Sequence, residues 1–180
     1  TIYIDPGHGK RSLKVGTSWG GIHEYEVVLA IGLMVEKRLK EQNYNVVMSR
    51  RDKNSPGEPG KRGELANAAG ADLMVSIHVN MVHDKYKGLT TWIYPGSEGG
   101  KKIANSITKG FERYGLDVFR TDPYEKAVSG LLTTSRMPAV VVEVDFMNKQ
   151  LYKRLADPNH QAKIADAIVW GINNYFEQKK

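Results

Sequence analysis

The sequence predicts an α/β domain: a twisted, mostly parallel β-sheet with helices on both faces. Short apolar stretches typical of strands alternate along the chain with longer stretches whose apolar residues recur every three or four positions, as in amphipathic helices. Two of the strand-like stretches, 72–78 and 138–144, are almost continuously apolar, which is typical of strands buried on both faces of a parallel sheet. No internal repeat or linker divides the chain, so we expect one domain over residues 1–180.

The individual elements follow from local patterns. The first strand, 2–4, runs into a glycine-containing turn, 5–9, and a long helix begins near Glu24. Four apolar residues in that helix recur every fourth position: Val27, Ile31, Val35 and Leu39. The other predicted strands are 45–49, 72–78, 88–94 and 138–144, and the other predicted helices are 60–69, 98–114 and one opened by Asp157 and Pro158.

Composition excludes several classes of protein. The 180 residues include no cysteine, so disulfide frameworks, cysteine-ligated metal sites and thiol nucleophiles are ruled out. No apolar run approaches the roughly 18 residues of a membrane helix, so we expect no membrane span. No signal segment opens the sequence, and we expect any export signal to lie outside this chain. The net charge of +6 is spread along the chain and fits an anionic partner, but no nucleic-acid reader motif accompanies it.

Three polar residues stand where the pattern predicts burial or a strand end, and a fourth candidate stands in the first turn of a helix. His8 lies in the turn after the first strand, and His78 ends the apolar stretch 72–78. Glu143 interrupts the apolar stretch 138–144, where an unpaired carboxylate is unfavourable, and Glu24 opens the long helix. Because the carboxyl ends of parallel strands line the ligand crevice of an α/β sheet, we expect these side chains to converge there.

Two imidazoles and a carboxylate form a common ligand set for hydrolytic zinc. His8, Glu24 and His78 fit that role, with Glu143 as the base that accepts a proton from the attacking water. The spacing matches no local zinc motif, and either histidine alone could equally be structural. The remaining histidines, His23, His83 and His160, lie in polar stretches and receive no role.

Four ordered motifs give the chain a specific resemblance. They are Asp5-Pro6-Gly7-His8-Gly9, Glu24 at a helix start, Val75-Ser76-Ile77-His78-Val79-Asn80, and 138–143 followed by Phe146 and Asn148. Together they resemble the zinc-dependent N-acetylmuramoyl-L-alanine amidases of the amidase 3 family (AmiC/CwlV type), over nearly the whole chain. The resemblance implies zinc bound by His8, Glu24 and His78, catalysis by Glu143, and hydrolysis of the amide between N-acetylmuramic acid and L-alanine in peptidoglycan.

We also expect roles for further residues, and a location for the protein. Asn80 would hydrogen-bond the substrate peptide or would be an ordinary turn residue, and Asp5 would orient a zinc-bound histidine. Asp145 stands where the family usually has glycine; its side chain could contact substrate or be solvated, and we expect the second. We expect a monomer acting at a bacterial cell wall, encoded by a bacterium or a phage, with peptidoglycan and anionic wall polymers as its partners.

Three alternatives remain open at this point. A glycosidase could use Glu24 and Glu143 as a carboxylate pair, which would leave both histidines unexplained. Another zinc peptidase of peptidoglycan would need the same ligands. A wall-binding module without catalytic activity could use the positive surface and would not need Glu143.

Overall fold

The strands and helices of the protein were located in a computed structural model, which describes residues 1–10, 15–81, 85–127 and 130–178. The strands in these ranges are β1 (Ile2–Pro6), β2 (Ser18–Trp19), β3 (Ile22–His23), β4 (Val46–Met48), β5 (Leu73–Asn80), β6 (Thr90–Ile93), β7 (Tyr124–Glu125) and β8 (Ala139–Phe146). The helices in these ranges are α1 (Glu24–Glu41), α2 (Pro59–Ala68), α3 (Glu98–Arg113), α4 (Gly130–Thr134), α5 (Tyr152–Leu155) and α6 (Pro158–Glu177).

Six of these strands form one sheet in the order β4-β1-β5-β8-β6-β7. The pairs β4–β1, β1–β5 and β5–β8 are parallel, while β6 runs antiparallel to β8 and is itself parallel to β7. The mostly parallel sheet predicted from the sequence is therefore confirmed. The short strands β2 and β3 pair with each other, apart from the sheet, immediately before α1.

Helices cover both faces of the sheet, as predicted. Alternate residues of a strand point to opposite faces, and the two sets contribute to two different cores. Val140 and Val142 of β8 pack in the larger core, to which α1, α3 and α6 contribute. Ala139 of β8 and Met74 of β5 pack in a smaller core with residues of α2 and α4. Among the described residues, the second face is thus covered by the two short helices α2 and α4.

Local sequence explains where the helices begin and end. The Ser97 hydroxyl accepts a hydrogen bond from the Gly100 amide at the start of α3, and the Asp157 carboxylate caps α6 in the same way. Helix α2 stops before Gly70, whose φ of +60° suits glycine. Five short elements were not predicted from the sequence, namely β2, β3, β7, α4 and α5. Among the described residues, no helix combines the length and apolarity needed to cross a membrane.

Candidate active site

The structure brings together the four polar residues singled out in the sequence. His8 follows β1, His78 lies near the end of β5, and Glu143 pairs with His78 across neighbouring parallel strands. Glu24 is the first residue of α1, and its helix packs against β1 and β5. These four side chains line one open cavity of about 540 Å³.

Three of these side chains place their ligand atoms in a tight group. His78 Nδ1 lies 3.1 Å from His8 Nε2 and 3.2 Å from Glu24 Oε1, and His8 Nε2 lies 3.2 Å from Glu24 Oε1. All the ligand atoms of this trio lie within 4.8 Å of one another. Atoms that carry lone pairs repel at such separations unless protons or a cation lie between them. Two imidazole nitrogens and a carboxylate oxygen are the donor set that zinc prefers, so the residues present fit this metal.

The charges of the trio indicate the same preference for a cation. Burial alone would raise the pKa of Glu24, but hydrogen bonds and charge interactions with His78 and His8 hold it well below its usual range. Burial alone would lower the pKa of His78, but Glu24, Glu143 and Asp5 together raise it. The surroundings therefore stabilise a negative carboxylate and a positive charge beside it.

Backbone amides fix the orientation of the Glu24 carboxylate. Its Oε1 accepts a hydrogen bond from the Val79 amide at 2.9 Å, and its Oε2 accepts one from the Thr17 amide at 2.8 Å. The side chain is only 3% exposed. Because both oxygens have donors, the carboxylate is held in one orientation toward the histidines. Sequence reasoning did not identify either amide, since any residue type can supply a backbone donor.

Two arginines hold the turn that carries His8. His8 itself has a φ of +59°, an uncommon conformation for a residue with a side chain. Arg62 donates to the His8 carbonyl at 2.5 Å, and Arg50 donates to the Gly7 carbonyl at 2.7 Å and the Pro6 carbonyl at 2.9 Å. Both arginines are buried, so these bonds are shielded from competing water. The turn is therefore held in place by two buried side chains.

Two glycines allow close approach at the site. A Cβ atom on Gly7 would lie 2.3 Å from His78 Cε1, and one on Gly16 would lie 2.6 Å from Glu24 Oε2. Gly16 also has a φ of +85°, which disfavours any other residue. Larger residues at these positions would displace the ligand atoms. Glycine in a polar loop is too common for the sequence alone to mark these two.

Asp5, predicted to orient a histidine, has other direct partners. Its carboxylate accepts hydrogen bonds from Ser49 at 2.6 Å, Ser76 at 2.7 Å and Arg62 at 2.8 Å, and it is fully buried. Burial alone would raise its pKa, but Arg62 and the two hydroxyls hold it below the usual value. Its connection to His8 runs through Arg62, which bonds both the Asp5 carboxylate and the His8 carbonyl. An orienting role for Asp5 stays a prediction, now through Arg62.

The hydrogen bonding of Glu143 differs from that of the buried acids Glu24 and Asp5. Its Oε2 is inaccessible to solvent and has no hydrogen-bond partner among the described residues. Burial raises its pKa to about 7; Glu24 adds to this effect, and His78 and His8 oppose it. A buried carboxylate oxygen without a donor is costly for folding, so its presence beside the trio indicates a function.

Asn80 lines the same cavity. Its amide nitrogen lies 3.4 Å from the Thr90 hydroxyl, and its side-chain oxygen accepts the Met81 amide at 2.8 Å. The bond to the Met81 amide is a local turn contact, as expected if Asn80 is an ordinary turn residue. Substrate binding by Asn80 stays a prediction.

The expectation that Asp145 is solvated is wrong. Asp145 is 1% exposed, accepts the Gly88 amide at 2.7 Å and forms an ion pair with Arg154. Arg154 lies nine positions later in the sequence, in α5, so no local pattern around Asp145 could reveal the pair. His83 lies outside the described residues.

Comparison with known proteins identifies the family. A family model described as N-acetylmuramoyl-L-alanine amidase matches residues 2–174. The uncharacterized protein YqiI of Bacillus subtilis is 33% identical, over 99% of this chain and 85% of the relative. The germination-specific N-acetylmuramoyl-L-alanine amidase of the same species is 29% identical, over 99% of this chain and 80% of the relative.

A solved structure agrees with these relatives. The catalytic domain of CwlV, an N-acetylmuramoyl-L-alanine amidase from Bacillus (Paenibacillus) polymyxa var. colistinus, superimposes with a TM-score of 0.84 at 30% identity, covering 98% of this chain and 97% of that domain. Three findings indicate the same family. They are the fold, the match over nearly the whole chain, and the convergence of His8, Glu24, His78 and Glu143. The chain therefore belongs to the N-acetylmuramoyl-L-alanine amidase family and is an enzyme of that family.

Proposed function

We propose that this chain hydrolyses the amide between N-acetylmuramic acid and L-alanine in bacterial peptidoglycan, with zinc held by His8, Glu24 and His78. The observation that carries the proposal is the group of three ligand atoms, 3.1 to 3.2 Å apart, beside a buried carboxylate oxygen without a partner. Bound zinc would supply Lewis acidity and lower the pKa of water in the cavity.

Glu143 is the proton carrier in this proposal. Its carboxylate lines the cavity with the trio, and no described donor occupies its Oε2. It accepts a proton from the water that attacks the lactyl carbonyl, and passes that proton to the alanine nitrogen as the amide C–N bond breaks. The products are a free lactyl carboxylate and a peptide with a free alanine amine.

The geometry argues against a carboxylate-pair glycosidase. Both oxygens of Glu24 already accept backbone amides, and Oε1 also lies 3.2 Å from each histidine. A carboxylate held in this way is poorly placed to donate a proton to a glycosidic oxygen. The pair also leaves the convergence of His8 and His78 unexplained.

The proposed substrate places the enzyme at the cell wall. We propose that it acts outside the cytoplasm as a monomeric, single catalytic domain over residues 1–180. The net charge of +6 favours association with an anionic wall and its polymers, because opposite charges attract over distances near 10 Å at physiological salt.

Digestion of purified peptidoglycan tests the proposal. The unaltered protein, the chelated protein and the chelated protein with zinc restored are compared for new alanine amino termini, other new amino termini and new reducing sugar ends. We expect alanine termini alone, lost on chelation and regained with zinc. New reducing ends that persist after complete zinc removal would indicate a glycosidase, and other amino termini would indicate a peptidase. Binding of the wall with no new termini at all would indicate a wall-binding module.

A further inference from the structure

The three proposed metal ligands lie on segments that are distant in sequence, and residues next to the ligands join these segments. His8 follows Gly7 in the turn after β1, and His78 follows Ile77 in β5. The Gly7 amide donates a hydrogen bond to the Ile77 carbonyl at 2.8 Å. The backbone beside one histidine is therefore tied to the backbone beside the other.

Arg50 joins the same turn to the helix that carries the third ligand. One terminal nitrogen of its guanidinium, Nη2, donates to the Gly7 carbonyl at 2.7 Å and to the Tyr25 carbonyl at 2.8 Å. Tyr25 directly follows Glu24, the first residue of α1. A single nitrogen atom thus holds the sequence neighbours of two proposed ligands at one separation.

The hydrogen bonds of this guanidinium all end on backbone carbonyls. Besides the two bonds of Nη2, its Nε donates to Pro6 at 2.9 Å and its Nη1 donates to Asp52 at 2.7 Å. Arg50 is 6% exposed and forms no ion pair with a carboxylate of the described residues. Because burying a cation without an ion pair is costly, its position beside the trio indicates a function.

The charge of Arg50 does not favour a metal cation. Burial lowers its pKa to about 10; Arg62 adds to this effect, and three carboxylates oppose it. The side chain is therefore positive at pH 7, and a positive charge repels a bound cation. Any benefit to the metal must come from geometry, because the planar guanidinium carries its donors in a fixed fork.

We propose that Arg50 is a positioning residue of the metal site, which fixes the separation of His8 and Glu24. It acts through the carbonyls of their sequence neighbours, Gly7 and Tyr25. This inference rests on the proposed function, because it takes the trio as the zinc ligands. Loss of a residue that orients metal ligands typically weakens metal binding by about 10- to 100-fold.

Zinc affinity in two variants tests the proposal, measured by competition with a chelator of known affinity. Arg50→Lys keeps the positive charge but lacks the fork, and Arg50→Met lacks both. We expect each variant to bind zinc about 10- to 100-fold more weakly than the unaltered protein. Lys53→Met is the matched control, since it removes an exposed charge from the same connection between β4 and α2, and it should leave zinc affinity unchanged. Equal affinity in Arg50→Lys and the unaltered protein, or tighter binding in Arg50→Met, would overturn the proposal.

A second control separates positioning from a general loss of stability. Arg154→Met removes a partly buried arginine that forms ion pairs with Asp117 and Asp145, and it should lower the free energy of unfolding without changing zinc affinity. Cobalt(II) in place of zinc gives absorption bands that report the ligand geometry. These bands should shift in Arg50→Lys and stay the same in Arg154→Met. Unchanged bands in Arg50→Lys, or an equal loss of zinc affinity in Arg154→Met, would show that Arg50 has a structural role only.

The unaltered protein provides a measurement that needs no variant. If Arg50 holds the two carbonyls before the metal binds, its Nη2 protons should exchange slowly with solvent in the zinc-free protein. Nuclear magnetic resonance of the labelled guanidinium measures this exchange, and zinc should change it little. Rapid exchange in the zinc-free protein would overturn the proposal, even if both Arg50 variants failed to fold.

The two proposals fail separately. Unchanged zinc affinity in the Arg50 variants of a protein that releases alanine termini would refute the positioning role and leave the amidase activity standing. Weaker zinc binding in those variants, in a protein that releases no alanine termini, would refute the activity and leave the positioning role standing.

Discussion

Two polar clusters lie side by side at the ends of the central strands, and they differ in how their hydrogen bonds are satisfied. Around Asp5, every interaction joins a donor to an acceptor: two hydroxyls and Arg62 donate to the carboxylate, and Arg62 also donates to the Pro6 and His8 carbonyls. Around His78, ligand atoms with lone pairs face one another at 3.1 to 3.2 Å.

This difference distinguishes a cluster that stabilises the fold from a cluster that takes part in the chemistry. A satisfied cluster stabilises a fold and specifies one arrangement of the turn. A cluster that leaves acceptors facing each other, with Glu143 Oε2 partnerless beside it, is unfavourable unless it binds a ligand or a reacting group. Substitutions in the first cluster should therefore change stability, and substitutions in the second should change metal binding or turnover.

The largest expected effect is on turnover, in Glu143→Gln. The amide keeps the size of the carboxylate but cannot accept the proton, so alanine release should fall by about 10²- to 10⁴-fold. The midpoint of thermal unfolding should stay the same or rise, because a buried carboxylate with a partnerless oxygen is removed. Bound zinc should be retained. Glu112→Gln, an exposed change in α3, is the control. A fall in the unfolding midpoint equal to that of an Asp5 variant would contradict the separation of the clusters.

The second-largest expected effect is a loss of zinc affinity in the Glu24→Gln variant. Replacing the anionic ligand with a neutral amide should weaken zinc binding by at least about 100-fold, measured by competition with a chelator of known affinity. Glu26→Gln, two positions along the same helix, removes an acid whose partner is Lys53 and should leave zinc affinity unchanged. Equal zinc affinity in the two variants would exclude Glu24 from the metal site.

The third-largest expected effect is a loss of stability in the Arg62→Met variant. It leaves the Asp5 carboxylate buried without its cation, and breaking such a pair typically lowers the free energy of unfolding by about 3–5 kcal/mol. Urea unfolding of the zinc-free protein measures the change. Lys61→Met, the neighbour in α2 with an exposed partner, should change stability by less than about 1 kcal/mol. The double variant Arg62→Met with Asp5→Leu should recover part of the loss, because no buried charge then lacks a partner.

The order of strands and helices could be predicted because it depends on patterns within each segment. Continuous apolar runs marked β5 and β8, and a four-residue repeat marked α1. The convergence of the candidate site residues could be predicted for a related reason: His78 and Glu143 are polar interruptions of apolar strands, and parallel strands end at one edge. The residue pattern alone supports Glu24 less strongly, since an acid at a helix start is common, and the family resemblance agrees with that assignment.

The partners of these residues could not be predicted, because each depends on a contact between distant segments. Arg62 lies 57 positions from Asp5, and an arginine in a short helix has the same local sequence pattern whether it is buried or exposed. Alternation with Phe146 along the strand predicts that Asp145 faces outward into solvent. In the structure, Arg154 and the Gly88 amide occupy its two oxygens. The missed elements have too few residues for periodicity to be recognised.

The smallest expected effect concerns a third polar cluster, which is partly exposed. Asp117 binds Lys87 and Arg154, and Arg154 also binds Asp145. The hydrogen bond from Lys87 lowers the pKa of Asp117; burial opposes this, and Arg154 adds to it. Because the folded-state pKa lies below the unfolded value of about 3.9, the stabilisation is present above that value and is lost as the pH falls through the folded pKa.

Asp117→Asn should therefore lower the unfolding midpoint at pH 7 by a few degrees at most, and the difference from the unaltered protein should shrink as the pH falls through the folded-state pKa of Asp117, which lies below its usual value. Thermal unfolding of zinc-free protein between pH 7 and pH 2.5 measures this. Asp122→Asn, an exposed acid for which no ion pair is found among the described residues, is the control and should show no such pH dependence. A difference that persists unchanged at pH 2.5 would mean that Asp117 acts through packing rather than charge. The Asp117 cluster would then differ from the Asp5 cluster in how it stabilises the fold. At Asp5, charge pairing and burial act together.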